Sequence, residues 1–208
     1  MENRVQELYE RAIFNGEYDG LTEADRALDA VEADLLVQRG RIMHCRFFED
    51  RVENPDELPA FERAAELYRG VGDQRGEGEA QFWIGCFHHV IRGDTPTAVR
   101  HFTTAADLAR ETGDDLTLSY ALRHLGIAAH SAGDLDTAKA LLEESTELRR
   151  ALGFTAGVAA NLVGLIYLAM AQSRPDDAHK LADEAAGLAA SVGATKVSED
   201  IETARAQI

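Results

Sequence analysis

The sequence predicts an all-α solenoid, with about eleven helices stacked as consecutive pairs along 208 residues. Three observations carry that prediction. First, four segments align on their glycines: VGDQRGEGEAQFWIGCF from Val71, TGDDLTLSYALRHLGIA from Thr112, LGFTAGVAANLVGLIYL from Leu152 and VGATKVSEDIETARAQ from Val192. Gly72, Gly113, Gly153 and Gly193 thus recur at intervals of 41, 40 and 40 residues, and punctuation at a fixed period of this length marks an array of supersecondary units. Second, each unit carries the helical period twice. Ala121, Leu122, Leu125, Ala128 and Ala129 keep it, Gly133-Asp134 interrupts, and Ala138, Leu141, Leu142, Ser145 and Leu148 resume it. Third, no alternating β pattern competes, because the valines and isoleucines are scattered among Ala and Leu.

Taken in order, residues 1–33 read as a divergent helix pair, with helices at 2–15 and 21–32. Residues 34–193 hold four repeats of about 40 residues, with helix pairs at 35–51 and 56–71, 74–92 and 96–112, 115–132 and 135–152, and 155–172 and 175–192. A polar helix at 195–207 closes the array as a solvating cap, and the whole chain reads as one domain. Glycine at 72, 113, 153 and 193 suits a left-handed helix stop, where a side chain would clash. Asp73 and Asp114 follow as candidate N-caps, and Pro55, Pro59, Pro96 and Pro175 fall at helix starts or turns. A weaker first copy, EADLLVQRGRIMHCRFF from Glu32, puts Ala33 in the glycine position. A second glycine series, Gly85, Gly126 and Gly164, lies inside first helices, with Cys45 in the corresponding place of the first unit. A helix-interior glycine costs about 1 kcal/mol, so its recurrence predicts a close approach of two helices.

Composition narrows the function classes. Lys+Arg is 21 against Asp+Glu 37, a net charge of −16, so nucleic acid and anionic membrane are poor partners for the average field. The most apolar stretch, Val158 to Ala171, contains Asn161 and is too short to span a bilayer. The N-terminus has no apolar signal-peptide core, and Cys45 and Cys86 form no CxxC pair. A reducing, cytoplasmic setting is the expectation. Residues 1–59 hold 15 acidic and 7 basic side chains, the most negative stretch by density.

At this point the residues resemble a known family. Leu125-Gly126, Ala138, Leu142 and Ser145 fall on the L-G…A…F…A positions of the tetratricopeptide repeat. Gly164-Leu165-Ile166-Tyr167 is similar to its G-x-x-Y, and Trp83-Ile84-Gly85 lies in its first helix. The period exceeds the usual 34 residues and resembles the longer variety in LuxR- and AfsR-type regulators and Rap-like peptide-binding proteins. The resemblance covers residues 34–193 well and 1–33 weakly. It departs from the pattern at Cys45, at His88 and in the enlarged turns EDRVENPDE and AQSRPDDA.

The resemblance implies a right-handed superhelix whose concave wall is lined by the first helix of each pair. Carried over by position, that wall would show Arg39, Ile42, Arg46, Glu49 and Asp50, then Glu79, Phe82, Cys86, His89 and Val90. Tyr120, Arg123, Ile127, His130 and Ser131 would follow, and then Val158, Asn161, Leu165, Leu168 and Ala169. The early wall is charged and the late wall apolar, which suits an extended peptide or an amphipathic carboxylate.

Glu49, His89 and His130 would form one row, the only weak candidate for acid–base or metal chemistry. Against it, there is no HExxH, no His pair at i,i+4 and no Cys/His cluster. His88 and His89 are adjacent and diverge around the helix. No P-loop or GxSxG is present, and Gly70 to Gly76 imitates GxGxxG without a preceding strand.

The leading expectation is a non-enzymatic module that binds a peptide or protein partner, with a regulatory role suggested by the resemblance and no cofactor or metal implied. The alternative is a small-molecule-binding protein or enzyme that uses a Glu/His/Arg cluster in the groove. The exposed ends of the array leave a homodimer open.

Overall fold

The computed structural model describes residues 2–208, with side chains from Arg4 onward. Its described residues form ten α-helices and no strand, an all-α solenoid of tetratricopeptide-like pairs. Helix α1 (Glu2–Glu10) runs on through a π-helical turn, Arg11–Asn15, that stops at the left-handed Gly16. Helix α2 (Leu21–Asp50) is followed by α3 (Glu57–Val71). Helix α4 (Gln74–Cys86) ends in a π-helical turn, Phe87–Ile91, and precedes α5 (Thr95–Thr112). The remaining helices are α6 (Asp115–Ser131), α7 (Leu135–Ala151), α8 (Thr155–Ala171), α9 (Pro175–Ser191) and α10 (Thr195–Arg205). No described helix is long and apolar enough to cross a membrane.

The predicted helices 21–32 and 35–51 are one 30-residue helix. The reason is local. Ala33 stands where later units have glycine, and neither a proline nor a positive-φ residue interrupts Glu32 to Leu36. Where the stops are real, Gly72, Gly113, Gly153 and Gly193 have φ of 82°, 68°, 68° and 66°. After Gly72 and Gly113, and after the left-handed Gly93 and Gly133 inside units, the next helix is capped by aspartate, whereas Phe154 and Ala194 start the helices after Gly153 and Gly193 without a side-chain cap. Asp73, Asp94, Asp114 and Asp134 accept the backbone N–H of Gly76, Thr97, Thr117 and Thr137 at 3.0–3.2 Å. These caps satisfy donors that a bare helix start would orphan.

Packing within each pair fixes the register of the array. A Cβ on Gly85 would lie 2.6 Å from the Phe102 ring, and one on Gly126 would lie 2.9 Å from Leu142. In the first unit the residue pressed against the equivalent ring, Phe61, is Gly40. Cys45, five residues further on, is exposed. In the fourth unit the sizes invert. Ile166 is fully buried in a cluster with Ala178 and Ala182 of α9, whereas Gly164 faces Leu142 of the preceding unit. One side of each pair is large where the other is small, which keeps the helices at close-packed distance.

Polar contacts lock the middle of the array. Arg149 of α7 is buried and donates Nη1 to Gly157 O and Asn161 Oδ1, each at 2.9 Å. Asn161 Nδ2 donates to Ser145 Oγ at 2.7 Å, and Ser145 Oγ donates to Ser119 O. The guanidinium lies 4.8 Å from the Tyr120 ring centroid and 5.5 Å from that of Phe154. Burial lowers its pKa to about 10, so aromatic faces and acceptors, not a carboxylate, hold this cation.

Candidate functional site: the inner wall

The first helix of each pair touches the next directly, α2 with α4, α4 with α6, α6 with α8 and α8 with α10. The closer-spaced row lies on the inside of a curved stack, so these helices form the inner wall. Which residues face it follows from the packing slots Gly40, Gly85, Gly126 and Ile166. Positions six and three before each slot, and one and four after it, share a helix face. They are Asp34, Val37, Arg41 and His44; Glu79, Phe82, Cys86 and His89; Tyr120, Arg123, Ile127 and His130; and Ala160, Val163, Tyr167 and Met170. The same step of 40 residues brings Asp200 and Thr203 of α10 onto this face.

This register corrects two units. In the first, the register puts Asp34, Val37, Arg41 and His44 on the wall, and Arg39, Arg46 and Glu49 are exposed further round α2. Arg46 and Glu49 line one pocket with Arg41, and Arg39 lines a groove with Pro59 and Ala60. The extended EDRVENPDE turn lengthens this unit, so a 40-residue step lands beyond the true slot. In the fourth, Asn161 is fully buried in the Arg149 network, and Leu165 and Leu168 are core. Matching glycine to glycine chose Gly164 where the thirteen-residue step from Gly153 reaches Ile166. Phe82 keeps its register but is buried, because the Tyr120, Phe102 and His124 rings close over it at 5.4–5.9 Å.

On the early wall half of the positions are buried and the others are engaged by neighbours. Arg41 spans the first two units, pairing with Glu79 at 3.3 Å and lying 5.3 Å over the Trp83 ring. Tyr68 donates its hydroxyl to Asp34 at 2.7 Å. His44 is buried beside Trp83, with its Nδ1 2.7 Å from Glu57 Oε1. His89 pairs with His124, Nδ1 to Nδ1 at 3.3 Å. His124 also stacks on Phe102 at 4.7 Å. Burial lowers both imidazoles, and for His124 the neighbouring Arg123 and His89 push the same way. One ring donates and the other accepts, so the pair is held neutral.

The late wall is open. Tyr120, Arg123, Ile127, His130, Ala160, Val163, Tyr167 and Met170 are all half-buried. Arg123 donates to Ala160 O at 3.1 Å. With Tyr167, Asp200 and Thr203 it lines a pocket of about 230 Å³. Burial lowers the Arg123 pKa, opposed by the charge of Asp200. The pocket therefore offers guanidinium donors, a carboxylate and an aromatic face together, the inventory for gripping a polar chain. Among the described residues, no three of His, Cys, Asp and Glu converge as a metal set. Glu49 stands on α2, off the His89–His124 pair, and His89 finds its partner in His124. Asp200, Tyr167 and Arg41 were missed; a strict repeat count from Gly153 would have found Asp200 and Tyr167.

The fold and wall define a tetratricopeptide-type α-solenoid. The family model for tetratricopeptide repeats matches residues 86–151, which supports that assignment for the centre of the array. The crystal structure of BtubC (BKLC) from P. vanneervenii is similar over 92% of this chain and 89% of that one. Its TM-score is 0.53 at 16% identity, a likeness of fold alone. No curated protein matches the sequence.

Proposed function

We propose that this protein is a non-enzymatic interaction module that binds an extended segment of a protein partner along its inner wall, with the Arg123–Tyr167–Asp200 pocket as anchor. Tetratricopeptide repeats generally mediate protein–protein interaction. The observation that carries the reading here is the contrast along one face. In the first two units four of the eight wall positions, Val37, His44, Phe82 and Cys86, are buried, and Asp34, Arg41, Glu79 and His89 are engaged by Tyr68, by each other or by His124, whereas the eight positions of the last two units are all half-buried and mix polar with apolar side chains. Arg123 retains guanidinium donors beyond the one given to Ala160 O, which an acceptor on an incoming chain would satisfy. The roughly 40-residue period also fits the repeat variety of LuxR- and AfsR-type regulators and Rap-like proteins, and with it a regulatory role inside the cell. Selection from displayed random linear peptides tests the assignment. Binders should lose at least tenfold in affinity on Arg123→Ala and on Tyr167→Ala, and nothing on Glu143→Ala at the back of α7. Binders indifferent to both wall changes would overturn it.

A further inference from the structure

We propose that α2 is a second recognition surface, one that pairs with α2 of another copy of this chain as an antiparallel two-helix seam. The first observation is where apolar surface is left bare. Of fifteen exposed large apolar side chains among the described residues, twelve lie between Val5 and Val52. Those on α2 are not scattered. Leu28, Leu35 and Ile42 are 42, 58 and 56% exposed and stand seven residues apart, with exposed Val31, Gln38 and Cys45 three residues after each. This is the a/d spacing of a coiled-coil seam. The buried residues of α2, Ala33, Val37, Gly40 and His44, occupy the opposite side of the same helix, so α2 has one face in the array and one facing out.

The second observation is charge, and it selects the occupant. Within this net −16 chain, residues 21–34 carry Glu23, Asp25, Asp29, Glu32 and Asp34 against Arg26 alone. Residues 35–51 carry four arginines against Glu49 and Asp50. One helix is thus acidic in its first half and basic in its second, a pattern complementary to itself when reversed. Antiparallel seams set a positions against d positions. Here that places Leu28 on the partner copy's Cys45, Val31 on its Ile42 and Leu35 on its Gln38. In the same register the flanking positions bring Asp25 to Arg46 and Glu32 to Arg39, each opposite in sign and each formed twice about the dyad; Asp34 and Arg41, engaged within their own chain by Tyr68 and Glu79, also come opposite one another. Neither Arg39 nor Arg46 forms an ion pair with a described residue of its own chain, and both line the 740 Å³ groove beside Ile42 into which the partner's flank would settle. A parallel pairing would instead keep one opposite-sign match, Asp34 with the partner copy's Arg39, and set Arg41 against its Arg46, which is destabilising.

The test is the mass in solution and the orientation of the pair. Sedimentation of the full chain should give about twice 22.7 kDa at low salt. Arg39→Glu with Arg46→Glu should return a folded monomer, and adding Asp25→Arg with Glu32→Arg should restore the dimer. For orientation, Cys45 lies some seventeen residues, about 25 Å of helix, from the other copy's Cys45 in this register. Oxidised wild type should therefore not cross-link, whereas Leu28→Cys should give a disulfide-linked dimer through Cys45. A wild-type monomer at tens of micromolar, a dimer unmoved by the charge reversal, or efficient Cys45–Cys45 cross-linking would each overturn the proposal.

Discussion

Exchanging sizes at the fourth packing slot is the sharpest test of the register on which the wall depends. Ile166 is fully buried in one cluster with Ala182. Ile166→Ala removes three carbons from a site with no exposed surface and should cost about 2–5 kcal/mol, transfer and cavity together. Ala182→Leu forces extra carbons into the same filled space and should cost about 1–3 kcal/mol. If the two residues share one slot, the double variant regains the arrangement of the second and third units, small on the first helix and large on the second. It should then be less destabilised than the sum of the single variants by about 1–3 kcal/mol, the range seen for contacting pairs. Urea unfolding measures this, with the denaturant slope followed to verify that the array still unfolds as one unit. Additivity within about 0.5 kcal/mol would show that Ile166 and Ala182 do not face each other. Tyr167, Met170 and Asp200 would then lose their place on the wall.

Other outcomes follow from the same contacts. The usual imidazole pKa is about 6.5, and both His89 and His124 lie below it when folded. Between those values protons bind the unfolded chain and not the folded pair, so stability is retained above about pH 6.5 and falls below it. His124→Phe keeps the ring against Phe102 and should flatten that limb of a pH–stability curve. A second acid limb should appear below about pH 4 from Asp114. Its burial pushes the carboxyl up, but the Thr117 bonds and the Arg75 ion pair outweigh this and hold it low. That contribution is present above pH 4 and lost on protonation. Asp114→Ala should cost about 1–2 kcal/mol by thermal or urea unfolding, as loss of an N-cap does. Cys86 is buried, with its thiol pushed well above the usual range, and should resist a thiol reagent until denaturant is added.

Much of the fold was legible because its signals are local and repeat. The left-handed glycines and the aspartates after them specify stops and starts from within four residues, and those boundaries appear where the spacing puts them. The site was less legible because wall residues are defined by what lies opposite, across a helix pair. Gly40 and Cys45 are both small, and the Phe61 ring, which leaves no room for a Cβ at position 40, distinguishes them. Gly164 imitates the repeat glycine but serves the preceding unit, while the true slot is taken by Ile166 because α9 offers alanines there. Phe82 has the right register for the wall yet is covered by Tyr120 and His124, which come from the next unit. The continuity of α2 across Ala33 follows from a missing stop.

A photo-reactive amino acid introduced in the native cell at Tyr167, and in parallel at the exposed Glu147 on the back of α7, tests the recognition surface most directly. A covalent adduct to one partner protein is expected from position 167, abolished by Arg123→Ala, and none from position 147. The same partner captured equally from the back of α7, or capture at Tyr167 indifferent to Arg123, would contradict it.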